Sequence, residues 1–374
     1  MQIAAGRRGI ARVAPESGSV EYVQSMTHPT STSTARHFGD GGPTLADVGE
    51  SALLDQLIAI SAALAPGRLA PTSSGDDAAV WTPPTGLDLA VSIDAVVEDV
   101  DFRRGWITPR RLGRRAFAVA VSDLAGTGAD ALHCVATLCA RPGENYEDVL
   151  DIQRGLCEAA AASGCAVIGG DVSAIDGPLV IDVCVTGSLP RGRALRRSAG
   201  RPGDAVITTG VLGRAAAGLR LLLEGGQAMS PAELSWVDAQ LEPGNRLREG
   251  RQLLDRGVLC GGDLSDGLLL DVARTAAASG CAVELWAASL PVDAELRARF
   301  GPDWLELAVA GGEEFELVAA VAQPDVAGLI AEWPGHLAPP TIIGTLRQGR
   351  GDREGARRGG DDVEMPRSRA GHFS

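Results

Sequence analysis

Aspartates in this chain recur at the ends of apolar runs, beside glycine or serine, instead of spreading over polar faces. They stand in SGDD (Asp76, Asp77), VSID (Asp94), AVSDLAGTGAD (Asp123, Asp130), VIGGD (Asp171) and GGDLSDG (Asp263, Asp266). Elements that end in this way deliver their carboxylates to one edge of a fold. Where several share an edge, two unit charges about 4 Å apart repel by about 4 kcal/mol at an effective dielectric of about 20. Such a pocket takes up protons or is neutralised by a hard cation held through oxygen, for which Mg²⁺ is the expected ion.

Each carboxylate also has a reading without a cation. Ser265 or Asp266 can N-cap the helix that Leu268, Leu269, Val272 and Ala276 mark out. Asp123 and Asp130 flank a glycine turn, and turn chemistry accounts for them as well as a cation does. VIGGD reads as a strand running into a glycine turn whose N–H groups could cradle a phosphate. Asp94 is the hardest to explain by structure alone, because it stands among Val and Ile with no basic residue near it in sequence. TTGVLGRAAAGL could hold a phosphate at a helix N-terminus, but it reads equally as a tight strand–helix turn and is left out of the site.

Composition removes competing chemistries. None of the 34 basic residues among 374 is lysine, so P-loop, Schiff-base and general-base lysines are all excluded. Five histidines and seven scattered cysteines form no CxxC pair or zinc spacing. G-x-S-x-G and GxGxxG are both absent. A net charge of −14 argues against coating nucleic acid. No apolar run reaches the roughly 18 residues that span a bilayer, and no apolar stretch follows Arg7 and Arg8 as in a secretory signal, so a cytoplasmic protein is expected.

The elements that must position these carboxylates alternate between strand and helix. Residues 1–44 are rich in Ser, Thr, Gly and Arg and read as a disordered leader. Leu53, Leu54, Leu57, Ile58 and Ile60 recur at helical spacing in TLADVGESALLDQLIAISAAL. AAVWT, LDLAVSIDAVV and LVIDVCVTGSL read as strands, while PRRLGRRAFAVAVSDLAGTGA and residues 145–163 read as helices. Arg, Gly and Pro crowd together at 190–204 and mark a break. The second half opens as strand, glycine turn and helix in AVITTGVLGRAAAGLRLLL, and CAVELWA, EFELVAAV and TIIGTL follow as strands. The expectation is an α/β (α+β) protein with domains at 45–190 and 191–346 and a loop or tail at 347–374.

Taken in order, SGDDAAV, SIDAVVEDVDF, AFAVAVSDLAGTGADA, IGGDVS, VTGSLPRGRALRRSAGRPGD, TTGVLGRAAAGL, DLSDGLLLDV and GGEEFEL resemble the thiamine-monophosphate kinases of the aminoimidazole-ribonucleotide-synthetase-like superfamily. The resemblance runs from about residue 70 to 318. It implies a two-domain fold whose N-terminal sheet closes a β-barrel across a homodimer. It also implies ATP-dependent phosphorylation of thiamine monophosphate to thiamine diphosphate, with several Mg²⁺ ions and no covalent nucleophile. By resemblance, Asp77, Ser92, Asp94, Asp123, Asp171, Asp263 and Asp266 fall on metal positions, with Asp76 a lower-ranked candidate. Gly170, Asp171, Arg197 and Ser265 fall on ATP-contacting positions; Asp101, Glu313 and Phe373 fall on substrate-contacting ones.

Three positions depart from the family pattern. Ile93 stands where threonine is frequent, so a side-chain ligand is lost there. Asp101 replaces a substrate-contacting histidine, and an aspartate could instead meet the cationic thiazolium. RAGHF carries Ala370 where an aromatic residue is usual. The alternatives are another ATP-dependent enzyme of the superfamily, or an inactive protein that retains ATP or thiamine phosphates.

Overall fold

The computed structural model describes residues 36–39, 41–67, 78–225, 229–349 and 356–358. Asp76, Asp77 and Phe373 lie outside the described residues, as do His372 and Ala370. The residues from 36 onward, placed in the leader by composition, are tied to the first domain. Gly39 N–H donates to Asp148 Oδ2 at 2.9 Å, and Arg36 pairs with the same carboxylate.

The expected first helix is two, α1 (Leu45–Val48) and α2 (Glu50–Leu64), divided at Gly49, whose φ of 82° closes one and opens the other. A four-stranded sheet follows, formed by β1 (Leu87–Val97), β2 (Asp130–Ala140), β3 (Ala166–Ala174) and β4 (Val180–Pro190) in the order β1-β4-β2-β3. β4 is antiparallel to both β1 and β2, and β2 is parallel to β3. AAVWT forms no strand: Pro83 and Pro84 follow at once and lack the N–H groups a ladder needs. The glycines of VIGGD make no turn and lie within β3. A Cβ on Gly170 would stand 2.1 Å from the Ala136 carbonyl oxygen, so this glycine serves close strand approach.

One face of this sheet carries Val96, Ile181, Val183 and Val185, all buried under α3 (Pro109–Thr127) and α4 (Tyr146–Ala162). Thr108 caps α3 through its hydroxyl, and Pro109 supplies the preset φ of a first helical residue. The two helices cross backbone to backbone. A Cβ on Gly155 would meet the Arg110 carbonyl oxygen at 1.8 Å, and one on Gly113 would meet that of Ile152 at 1.9 Å. Gly155→Ala is therefore expected to destabilise the protein by about 3 kcal/mol through forced helix separation; thermal denaturation checks it, and an unaltered melting temperature would contradict it.

The second sheet begins at Ala205, after the Arg/Gly/Pro-rich connection. It comprises β5 (Ala205–Thr209), β6 (Cys260–Leu264), β7 (Cys281–Leu285), β8 (Glu316–Val321), β9 (Pro340–Gln348) and β10 (Ala356–Arg358), in the order β10-β7-β9-β5-β8-β6. The expected tail thus contributes Ala356–Arg358, which pair in parallel with Val283–Leu285. The second half also holds α5 (Arg214–Leu223), α6 (Pro231–Leu241), α7 (Leu247–Asp255), α8 (Leu268–Ala278), α9 (Ala294–Phe300), α10 (Trp304–Ala310) and α11 (Val326–Ala331), with α6 packed on α5 and α7 against α3 and β2. The α5 N-terminus is occupied by a carboxylate: Gly213 N–H donates to Glu314 Oε1 at 2.8 Å. All seven cysteines are free thiols. Among the described residues, no helix is long and apolar enough to cross a membrane.

Candidate active site

The C-terminal half of α3 is the piece that joins the two sheets chemically. Gly126 allows the approach, since a Cβ there would stand 2.9 Å from the Asp263 backbone nitrogen on β6. One turn earlier, Ser122 Oγ donates to Asp263 Oδ2 at 2.8 Å. Asp123, its neighbour, accepts a short hydrogen bond from Ser92 Oγ on β1. Strand alternation sends Ser92 and Asp94 to the same face as buried Val96, towards this helix. Three elements thus bring Asp94, Asp123 and Asp263 together.

The energetic signature is that of crowded, desolvated carboxylates. Burial, and then the charges of Asp123, Asp263 and Asp182, push the Asp94 carboxyl up to about 7. Burial foremost, with Asp123 beside it, raises Asp263 to about 6, opposed by the Ser122 hydroxyl and by Arg197. Arg197 Nη2 stands 3.5 Å from Asp263 Oδ1. Gly262 leaves room for that guanidinium, because a Cβ there would lie 3.1 Å from Arg197 Nε.

The remaining candidates arrive less directly. Asp171, exposed on β3, accepts from Ser173 Oγ at 3.1 Å and opposes Thr137, which in turn opposes Asp182. A cavity of about 720 Å³ beside α2 includes Gly170 and Asp171 in its wall. Neither Ser265 nor Asp266 caps α8. Asp266 pairs with Arg274, and the fully buried Asp271 accepts from the N–H groups of Ser265 and Asp266 at 3.1 and 3.0 Å. The capping carboxylate thus comes from within the helix, holding the 265–266 loop from below. Asp130, at the start of β2, pairs with Arg251 away from the cluster.

Among the described residues, no three His, Cys, Asp or Glu side chains converge closely enough to enclose a metal ion by themselves. The donor set is nonetheless all oxygen, and its raised carboxyls are relieved by positive charge. That fits a hard cation such as Mg²⁺, which retains waters and shares its sphere with substrate phosphates rather than demanding a protein cage.

The AIR synthase related protein N-terminal domain model matches residues 75–189, and the C-terminal domain model matches residues 201–355. The thiamine-monophosphate kinase of Bacillus subtilis is 33% identical over 278 residues, covering 73% of this chain and 85% of that protein. That of Mycobacterium tuberculosis is 32% identical over 294 residues, covering 76% and 84%. The chain belongs to the thiamine-monophosphate kinase family. The crystal structure of the Stenotrophomonas maltophilia thiamine-monophosphate kinase superposes with a TM-score of 0.73 at 30% identity, over 83% of this chain and 96% of that one. A structure of AaThiL complexed with AMPPCP and TMP gives a TM-score of 0.67 at 27% identity, over 86% and 97%.

Two further positions taken from the thiamine-monophosphate kinase pattern lie where β1 and β8 are joined to their loops. Asp101 Oδ2 accepts from Val97 N–H at 2.8 Å, closing the turn after β1. Glu313 has φ +63° and receives donors on both carboxylate oxygens, from Arg115 and Gln240. Sequence reasoning missed Ser122, Asp182, Asp271, Arg115 and Gln240. Asp182 carried the signal used for Asp94, an aspartate among Val and Ile in LVIDVCV. Asp271 acts locally on the loop before its own helix; Ser122, Arg115 and Gln240 are intelligible only once α3 is laid against β6 and α6.

Proposed function

We propose that this chain transfers the γ-phosphoryl group of ATP to thiamine monophosphate, giving ADP and thiamine diphosphate. The observation that carries this reading is the convergence of Asp94, Asp123 and Asp263 from β1, α3 and β6, within a chain a third identical to thiamine-monophosphate kinases. Ser92, Asp94, Asp123 and Asp263 are the residues to hold Mg²⁺, with Asp171, Asp266 and Asp77 as further metal positions carried over from the family and Asp76 as a lower-ranked candidate for the turn or a second ion. When bound, Mg²⁺ neutralises charge between donor and acceptor phosphates. Gly170, Asp171, Arg197 and Ser265 face the nucleotide, and Arg197 balances Asp263 there. Asp101, Glu313 and Phe373 contact the acceptor. No side chain needs to act as nucleophile, because the acceptor phosphate oxygen is already ionised.

The protein acts as a cytoplasmic homodimer. Leu89, Val91 and Ile93 of β1 are 50, 70 and 60% exposed on one open sheet face, an apolar row suited to a second copy. The test of function is ADP release with ATP, Mg²⁺ and a panel of acceptors: thiamine monophosphate, thiamine, selenide and formylglycinamidine ribonucleotide. Turnover is expected with thiamine monophosphate. Turnover confined to another acceptor would overturn the reading.

A further inference from the structure

Arg115, in the middle of α3, is 1% exposed, yet its side chain serves groups that lie far off in sequence. Nη1 donates to the carbonyl oxygen of Gln240 on α6. Nη2 donates to the carbonyl oxygen of Asp101 at 3.3 Å and to Glu313 Oε1. Gln240 Nε2 donates to Glu313 Oε2 at 2.5 Å, so both oxygens of that carboxylate are held. Glu313 N–H donates to Ser265 O at 2.7 Å. A single guanidinium therefore links the turn after β1, the end of α6 and the loop before β8.

Glu313 adopts a left-handed φ of +63° without being glycine, a conformation that persists only where its surroundings over-determine it. Here the surroundings are the Ser265 carbonyl and the two side-chain donors. The Glu313 side chain is still 31% exposed, so it is pinned but accessible. As a device for stability alone the arrangement is poor. A fully desolvated guanidinium gains little over a well-packed apolar side chain of its size, and Arg115 Nε has no hydrogen-bond partner among the described residues. What an apolar residue could not supply is a donor that holds the Glu313 carboxylate in one place.

We propose that Arg115 is a positioning residue for the acceptor: it fixes the Glu313 carboxylate and the Asp101 turn so that they receive the nitrogen-rich, cationic end of thiamine monophosphate. This rests on the thiamine-monophosphate kinase reading and on Glu313 as a substrate contact. The chemistry suits that end of the molecule. A carboxylate whose oxygens each keep a free lone pair accepts an amine N–H or faces a thiazolium, and repels a phosphate. ATP, held by other residues, is untouched.

The test compares wild type, Arg115→Met, Arg115→Lys, Glu313→Gln and the Arg115→Met/Glu313→Gln double variant, varying thiamine monophosphate and ATP separately. Arg115→Met is expected to raise KM for thiamine monophosphate about tenfold, the order for losing one charge-assisted hydrogen bond, while KM for ATP stays within about twofold. Arg115→Lys, which keeps the charge but not the fork, falls between wild type and Arg115→Met. The double variant is expected to be no worse than Glu313→Gln, because Arg115 acts through that carboxylate. Fully additive effects, a parallel rise in KM for ATP, or an unaltered KM for thiamine monophosphate would each overturn the proposal. Should Arg115→Met fail to fold, Gln240→Leu removes one donor to Glu313 and must raise the same KM selectively. Wild type without turnover on thiamine monophosphate overturns the functional reading and this proposal with it; wild-type turnover with insensitive variants overturns this proposal alone.

Discussion

Asp94→Asn is expected to lower turnover by on the order of 10³-fold while making the metal-free protein more stable at neutral pH. The two effects have one cause. Asp94 is driven from an ordinary value of 3.8 to about 7 by burial and by Asp123, Asp263 and Asp182. In the unfolded chain it ionises near 3.8; in the fold it resists ionisation until about 7. Its charge therefore costs stability that grows from pH 3.8 to about 7 and is constant above that, and Asp263 adds a smaller cost that grows up to about 6. Asparagine removes the charge at nearly the same volume. After discounting for solvent screening at a partly buried side chain, the gain is about 2 kcal/mol above pH 7, vanishing towards pH 4. Added Mg²⁺ is expected to raise the melting temperature of wild type more than that of the variant, since ligand binding stabilises by mass action. Near-normal turnover at limiting Mg²⁺, or a variant less stable than wild type at pH 8, would overturn the proposed metal role of Asp94.

Asp94 was legible in sequence because a lone carboxylate among Val and Ile on a strand has no cheap structural explanation. The crowding of Arg, Gly and Pro after β4 is equally plain in the sequence, and it falls between the last strand of the first sheet and the first strand of the second. Elements with a strong period, α3, α4, β1 and β4, emerge from the sequence close to their bounds. Local signals fail where tertiary packing decides. IGGD looks like a turn because glycine is permissive, but its glycine is spent on close approach to Ala136. Asp266 looks like a cap, but Asp271 reaches back from the first turn of α8 and satisfies the N–H groups. Arg115 is invisible among the charges of PRRLGRR. Of the four arginines there, Arg110, Arg111 and Arg114 pair with exposed or half-buried carboxylates, whereas Arg115 points inward. Helical phase distinguishes them only when the partners on α6 and before β8 are known.

Glu316→Leu is expected to be the most destabilising single change considered, and its repair is the informative part. Glu316 opens β8, is 5% exposed, and accepts from Arg246 Nε and Nη2, both at 2.6 Å, and from Thr209 Oγ1 at 2.7 Å. Gly210 is compelled to be glycine beside it, with φ +62° and space for a Cβ only 2.0 Å from Glu316 Oε1. Leucine at 316 strips the half-buried Arg246 guanidinium of both hydrogen-bonded carboxylate oxygens and leaves only the weaker charge of Glu249 nearby, which costs up to about 4 kcal/mol. The Thr209 oxygen still accepts from the Leu317 N–H at 2.9 Å, but its buried O–H loses its acceptor, which adds to the cost. Arg246→Met in the same chain removes the stranded charge. A buried pair replaced on both sides by apolar groups of similar volume is commonly neutral, so the double variant is expected to recover most of the loss. Chemical denaturation of wild type, both single variants and the double variant gives the coupling directly. A double variant as unstable as Glu316→Leu would mean that the cost lies in the Thr209 and Gly210 packing around the carboxylate, not in the ion pair. Recovery would assign the pair to fixing the start of α7 beside β8, a position that two apolar side chains could hold but would not specify.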